Sequence, residues 1–304
     1  MSAPATVKLP RYEVEGPSDA PVVVALGGIS AHHHIRATKS DPSQGWWESA
    51  PGVGCPLPTS HFRLVGATFL DAGRGDDGRP KGIVTTHDQA DAVAGVLDEI
   101  GVQRVHALIG ASYGGMVALA FAEKYPERLE RLIVIAAAHR THPMTMAVKV
   151  IQRRIVELGL QTGRAHDAVV LARALAMTTF RTAGEFAQRF AIEPVSQTSN
   201  DATFPVESYL RHHGERFAAR FSPARFLALS LSGDLHNVDP SRITARTTLV
   251  AAEGDANVPR ELVNELASQI SGPCRIAELH SISGHDAFLT EPEALGRILE
   301  EALS

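Results

Sequence analysis

The stretch VHALIGASYGGM, residues 105–116, determines how we expect this chain to fold. Its first part is mostly apolar and predicts a buried strand at 105–109, and the residues after it predict a helix that ends near Pro126. Ser112 lies on the turn between them, with a glycine two residues away on each side, Gly110 and Gly114. A serine on such a strained turn can present its hydroxyl above the sheet only if those neighbours lack colliding side chains. Strand, GxSxG turn and helix in this order predict a nucleophile elbow.

Short apolar runs and helical patterns alternate on both sides of this segment. Further strands are predicted at 22–26, 61–68, 132–138, 247–252 and 274–279. Helices are predicted at 86–100, with Thr86 as the N-cap, at 114–125, at 260–270 and from about 291 to 303. This alternation is typical of an α/β protein with a mostly parallel central sheet that helices cover on both faces.

Between residues 138 and 247 the pattern changes, because no comparable strand run occurs there. Helices are predicted at 144–158, 167–177, 183–190, 206–221 and 223–231. A chain of 304 residues suits one large domain that carries a sizeable insertion. We therefore predict an α/β core formed by residues 1–138 and 241–304, with a helical lid insertion at 139–240.

The composition excludes several classes of protein. The net charge of −5 argues against nucleic-acid binding over a broad surface. The longest apolar runs are far shorter than a bilayer-spanning segment, and residues 1–10 lack the pattern of a secretory leader. The two cysteines, Cys55 and Cys274, are too few for a disulfide framework and indicate reduced thiols. We expect a cytoplasmic protein that binds small molecules, not nucleic acid or membranes, and a homodimer stays open.

A serine hydroxyl is a poor nucleophile without a histidine base and an acidic residue to orient that base. Asp255 and His285 each follow one of the last two predicted strands, and Ser, Asp, His is the chain order of α/β-hydrolases. Glu253 is the alternative acid, but it lies closer to its strand. His280 is the alternative base, but its position at a strand end suits a half-buried strand residue. We therefore predict a catalytic triad of Ser112, Asp255 and His285.

An oxyanion formed at this serine would need two backbone N–H donors. In this fold one belongs to the residue after the nucleophile, here Tyr113, and the other to the loop after an early strand. That loop reads GGIS at 27–30, and we predict Ile29 as its donor. The consecutive histidines at 32–34 invite a metal interpretation, but three neighbouring loop residues do not converge on one ion. We therefore expect no metal site.

Several segments together resemble the homoserine O-acyltransferase family, the acetyl- and succinyl-transferring α/β-hydrolase enzymes of methionine biosynthesis. They are ASYGGM at 111–116, GWWE at 45–48, VESYLR at 206–211, DLH at 234–236 and GHDAFL at 284–289. The resemblance extends from about residue 22 to residue 292. It implies the same three triad residues that the chemistry selects, and an acyl-CoA cosubstrate with no permanently bound cofactor.

The resemblance also implies three substrate-binding residues. Asp286 would bind the amino group of the amino-acid acceptor, Arg173 would hold its carboxylate, and Ser30 would occupy a substrate-contacting loop position. These roles suit a zwitterion, which needs one anionic and one cationic partner, and arginine binds carboxylates with two parallel hydrogen bonds.

Two positions depart from the family, which commonly has tyrosine in place of Phe180 and methionine in place of Tyr113. The compact chain resembles the succinyl-transferring branch most. We therefore predict O-acylation of L-homoserine through an acyl-serine, with succinyl-CoA favoured over acetyl-CoA. Three alternatives stay open: an acetyl-CoA-dependent homoserine O-acetyltransferase, a serine esterase or thioesterase, and a ligand-binding protein on a retired hydrolase fold. Serine as the acceptor also stays open.

Overall fold

The structure is a computed structural model that describes residues 9–51 and 55–304. Its strands are β1 Tyr12–Glu15, β2 Val22–Leu26, β3 Arg63–Ala67, β4 Val105–Ala111, β5 Leu129–Ile135, β6 Ser196–Gln197, β7 Ala202–Thr203, β8 Arg246–Ala252 and β9 Cys274–Leu279. Its α-helices are α1 Thr86–Glu99, α2 Tyr113–Lys124, α3 Pro143–Gln161, α4 Ala165–Phe180, α5 Ala183–Arg189, α6 Pro205–Ala218, α7 Pro223–Asp234, α8 Arg260–Gln269, α9 Ala287–Thr290 and α10 Pro292–Leu303.

The main sheet has seven strands in the order β1-β3-β2-β4-β5-β8-β9. Only β1 is antiparallel to its neighbour, and the other strands run parallel. Leu26 pairs with Gly110, and Ala111 pairs with Ile135, so the carboxyl ends of β2, β4 and β5 lie side by side. The α/β fold class with a mostly parallel sheet is confirmed. The loops after these strands meet at one edge, where α/β sheets place their ligands.

Alternate residues of the central strands point into two apolar layers, one on each face of the sheet. In β2, Val24 packs into the layer that contains residues of α1, α2 and α8. Its neighbour Val23 packs into the opposite layer, with residues of α10. A strand that is buried on both faces needs apolar residues at every position, which explains the uninterrupted VVVAL sequence of β2.

Some details of the predicted elements are wrong. Thr85, not Thr86, caps α1: its hydroxyl accepts from the Asp88 N–H at 3.1 Å, and the Asp88 carboxylate accepts from the Thr85 N–H at 2.7 Å. Thr86 lies inside the helix, buried, with its hydroxyl 2.8 Å from Nδ1 of His236. Two adjacent threonines have the same capping chemistry, so only the packing distinguishes them. Strand β5 also begins and ends three residues earlier than predicted.

The segment between β5 and β8 is helical, as the pattern predicts, except for the short β6–β7 hairpin that the sequence did not reveal. Each hairpin strand has two residues, too few for a periodic signal. Strand β1, a half-buried edge strand, was also not predicted. The boundaries of the core and the lid insertion stay a prediction. Among the described helices, none combines the length and apolar character that crossing a membrane requires.

Candidate active site

The turn at Ser112 has the strained geometry of a nucleophile elbow. The residue adopts φ 53° and ψ −118° between the end of β4 and the start of α2, and its N–H donates to the Ile135 carbonyl at 2.8 Å. A Cβ at Gly114 would collide with the Leu26 carbonyl oxygen, and one at Gly110 would collide with the Gly114 carbonyl oxygen. Both glycines are therefore required by close backbone contacts, as the sequence predicts.

The three predicted triad side chains form one hydrogen-bonded line. The Ser112 Oγ lies 2.8 Å from Nε2 of His285, and Nδ1 of His285 lies 2.8 Å from Oδ2 of Asp255. A carboxylate can only accept, so Nδ1 carries the proton and Nε2 is left to accept from the serine. The second carboxylate oxygen, Oδ1, accepts the backbone N–H groups of Asn257 and Val258 at 2.8 and 3.0 Å. This arrangement can remove a proton from Ser112.

The surroundings of His285 adjust its basicity in opposing directions. Its burial disfavours the charged imidazolium, but the neighbouring carboxylates of Asp255 and Asp286 outweigh this effect and raise the pKa of His285. The ring also stacks on Phe180, with centroids 5.6 Å apart. A base of raised pKa holds the transferred proton well, as a serine nucleophile requires.

The two predicted oxyanion donors lie beside the serine. Both Tyr113 and Ile29 line the cavity that Ser112 faces. As the first residue of α2, Tyr113 has a backbone N–H without an acceptor within its helix. The Gly114 N–H donates to the Gly27 carbonyl at 3.0 Å, which holds the loop of Ile29 against the start of α2.

The Tyr113 side chain makes contacts that support the fold. Its hydroxyl lies 2.7 Å from the Ser232 Oγ, and its ring meets the edge of Phe69 with centroids 4.8 Å apart. Burial raises the pKa of Tyr113 to about 12. The Tyr113 phenol is therefore neutral and links α2 to α7 through its contact with Ser232.

The cavity over Ser112 is closed on its far side by helices of the predicted lid. The core supplies Ser112 and His285, and α3, α4, α6 and α7 supply most of the remaining lining, including Lys149, Gln152, Arg173, Phe180, Phe217, Phe226 and Ser230. A site that is covered in this way can limit the access of water to a reactive intermediate.

Arg173 reaches this cavity, as the resemblance implies. Its guanidinium lies 4.8 Å from the ring centroid of Phe180 and 4.9 Å from that of Phe217. Within residues 9–51 and 55–304, no carboxylate comes within ion-pair distance of it, and its Nε has no hydrogen-bond partner. Burial lowers the pKa of Arg173, opposed by the charge of Asp286. A buried cation without a counter-ion is suited to an anionic ligand.

Asp286 and Ser30, the two other predicted substrate-binding residues, do not line the cavity. Burial raises the pKa of Asp286, and its carboxylate lies 3.1 Å from Nε of Arg181. Ser30 is exposed. Neither Asp286 nor Ser30 is among the described residues that line the cavity. Their predicted roles stay predictions, and Asp286 would have to exchange its contact with Arg181 for a substrate amine.

The histidine run has structural partners. His33 lies 2.9 Å from the Thr68 hydroxyl, and His34 bridges the Glu13 carboxylate at 2.7 Å and the Ser43 carbonyl at 2.9 Å. Nδ1 of His32 accepts the backbone N–H of His34 at 3.2 Å, so each of the three rings has a different partner. Within the described part of the chain, no cluster of potential ligands could hold a metal ion.

Sequence reasoning missed Lys149, a cationic residue of the cavity lining. It lies on α3 in register with the buried residues Thr145, Gln152 and Val156, at a spacing of one helix face. A lysine on the buried face of a helix was the available signal, because lysine is rarely buried without a partner.

The chain is similar in sequence to several known proteins. A family model of the alpha/beta hydrolase fold matches residues 21–292. The chain is 39% identical over 293 residues to the homoserine O-succinyltransferase of Xanthomonas campestris pv. campestris, covering 96% of this chain and 78% of that protein. It is 31% identical to the serine O-succinyltransferase of Litchfieldella anticariensis (96% and 90% covered) and 30% identical to the homoserine O-acetyltransferase of Thermobifida fusca (93% and 84% covered).

Two solved structures share the fold at low sequence identity. The homoserine O-acetyltransferase from Bacillus anthracis superposes with a TM-score of 0.87 at 17% identity, covering 96% of this chain and 91% of that one. Esterase E22 superposes with a TM-score of 0.85 at 19% identity, covering 96% and 93%. Transferases and esterases thus share this architecture, and the reaction must be argued from the site.

Proposed function

Because this chain belongs to the homoserine O-acyltransferase family of the α/β-hydrolase fold, and is therefore an acyltransferase, we propose that it acylates the hydroxyl of L-homoserine from an acyl-CoA, with succinyl-CoA preferred to acetyl-CoA. One observation carries the proposal: the hydrogen-bonded line of Ser112, His285 and Asp255 faces a cavity that also contains the unpaired guanidinium of Arg173. A nucleophile and an anion site in one cavity suit acyl transfer to an amino acid.

In the first step, the Ser112 oxygen attacks the thioester carbonyl while His285 Nε2 takes its proton. The negative charge on the carbonyl oxygen is stabilised by the backbone N–H groups of Tyr113 and Ile29. When the tetrahedral intermediate collapses, the carbon–sulfur bond breaks and His285 returns the proton to the departing CoA thiolate. An acyl-serine and free CoA result.

In the second step, the amino-acid acceptor enters with its carboxylate on Arg173 and its amino group near Asp286. His285 removes the proton from its hydroxyl, and the hydroxyl oxygen attacks the acyl-serine carbonyl. Collapse breaks the bond to Ser112, which regains the proton from His285. The lid helices favour the acceptor over water by orienting it and by limiting solvent access.

A coupled measurement of thiol release tests this function. Free CoA is followed from succinyl-CoA and from acetyl-CoA, each with and without L-homoserine, for the unmodified protein and for Ser112→Ala. The proposal expects release that requires homoserine, is faster with succinyl-CoA and is absent in Ser112→Ala. L-Serine in place of L-homoserine tests the acceptor. Equal release without an acceptor would instead identify a thioesterase, and faster acetyl-CoA turnover would correct the donor.

A further inference from the structure

Lys149 places a second cation in the cavity that Ser112 faces. Its side chain lines the Ser112 cavity and is 22% exposed. Its ammonium group lies against Gly233: a Cβ added to that glycine would be 3.0 Å from Lys149 Nζ and 3.8 Å from the Tyr113 ring. Tyr113 directly follows Ser112 in the chain. Lys149 therefore lies in the same cavity as Ser112, and its charge acts on the base His285.

The partner of Lys149 is shared with another cation. Lys149 Nζ lies 3.5 Å from Oδ1 of Asp234, whereas Arg153 donates to Oδ2 of the same carboxylate at 2.6 Å and to the Ser230 hydroxyl at 3.0 Å. One carboxylate thus serves two cations, and Arg153 has the better geometry. The cluster keeps one positive charge in excess. Burial lowers the pKa of Lys149, opposed by Asp234, so a further anion in the cavity would stabilise its charged form.

The lining as a whole has an excess of positive charge. Its cations are Arg140, Lys149 and Arg173, and the lining has no carboxylate among the described residues. Arg140 is paired with Glu265 at 2.7 Å. Two positive charges then remain without a full counter-ion, at Arg173 and at Lys149. The acceptor carboxylate neutralises only one of these two charges. A succinyl group carries a carboxylate that could neutralise the other, whereas an acetyl group is uncharged.

We propose that Lys149 binds the terminal carboxylate of the succinyl group and thereby selects a dicarboxylic acyl donor over acetyl-CoA. The inference rests on the proposed function, because it names the residue that recognises the acyl chain at the same site. A charged hydrogen bond made in a mostly apolar cavity discriminates strongly against a donor that cannot form it.

The test compares Lys149→Met with the unmodified protein. The variant leaves the pair of Arg153 and Asp234 neutral, so we expect it to fold, which thermal unfolding checks. For Lys149→Met, kcat/KM with succinyl-CoA should fall about 10- to 100-fold, the size expected for a lost hydrogen bond between charged groups. The value with acetyl-CoA should change less than about threefold. An equal fall with both donors would overturn the proposal and leave the transferase function intact.

The matched control is Lys124→Met, which removes a lysine at the far end of α2 that pairs with Asp91. This control substitution should leave kcat/KM unchanged with succinyl-CoA and with acetyl-CoA.

A second measurement does not depend on transferase activity. Succinate should protect Ser112 from a fluorophosphonate probe in the unmodified protein, and protection should need at least tenfold more succinate in Lys149→Met. If the unmodified protein transfers no acyl group to homoserine, the proposed function fails, and this measurement alone decides the anion site. Equal protection of both proteins would refute Lys149 as an anion-binding residue.

Discussion

Substitution of Asp255 by asparagine should disable the site through the tautomer of His285. In the structure Oδ1 of Asp255 accepts two backbone N–H groups, those of Asn257 and Val258, and Oδ2 faces His285. Those two donors fix the orientation of the new side chain, because they require an oxygen at the Oδ1 position. The amide NH₂ of Asp255→Asn must then face His285 Nδ1 as a donor. His285 can satisfy it only by moving its own proton to Nε2, where the proton blocks acceptance from Ser112.

The loss should be about 10³- to 10⁴-fold in kcat/KM for acyl transfer, or about 4–5.5 kcal/mol of transition-state stabilisation. Initial rates of CoA release in the presence of L-homoserine measure it. Nitrogen-15 NMR of the imidazole rings measures the cause directly, since His285 should change from an Nδ1-protonated to an Nε2-protonated ring. The backbone contacts of Oδ1 are retained, so the thermal unfolding temperature should fall by only a few degrees.

The control is Glu253→Gln, at the alternative carboxylate considered from the sequence. Its side chain is 68% exposed and lies 3.1 Å from His280, so its loss should change kcat/KM by less than about twofold. A fall of less than tenfold in Asp255→Asn, or an unchanged Nδ1 proton, would refute the argument from the two fixed donors. A large fall in Glu253→Gln would show that the acidic member of the site had been misassigned.

Three further outcomes are expected. Arg173→Met should raise the KM for L-homoserine about 100-fold while Ser112 still reacts with a fluorophosphonate, and an unchanged KM in initial-rate kinetics would contradict the carboxylate role. Because the pKa of His285 is raised and its protonated form cannot accept from Ser112, kcat/KM should rise with pH through a pKa above 6.5, and a pH profile flat down to 6 would count against this. Gly114→Ala should lower the free energy of unfolding by at least about 2 kcal/mol in urea titration, since its Cβ meets the Leu26 carbonyl, whereas Gly82→Ala, with open space at its Cβ, should not.

The nucleophile turn could be predicted from its own residues. Its requirements are local: a buried strand, two glycines that avoid backbone collisions, and a helix that begins directly after Ser112. The positions of Asp255 and His285 followed from one additional rule, that parallel strands bring their carboxyl ends to one edge. The fold class followed from the alternation of strands and helices. All of these predictions depend on short-range sequence patterns, which are the same however the segments pack against one another.

The charge partners in the site could not be predicted, because they join residues from elements far apart in the chain. The family resemblance implies that Asp286 binds a substrate amine, which stays a prediction, and its contact with Arg181 became visible only in the structure. The position of Lys149 over the cavity, and its shared use of Asp234, depend on how α3 and α7 cross. The electrostatic energy of such groups varies steeply with distance and burial, and both are properties of the packed helices. The nucleophile turn could therefore be predicted from the sequence, whereas the arrangement of the charged groups around it was decided by tertiary packing.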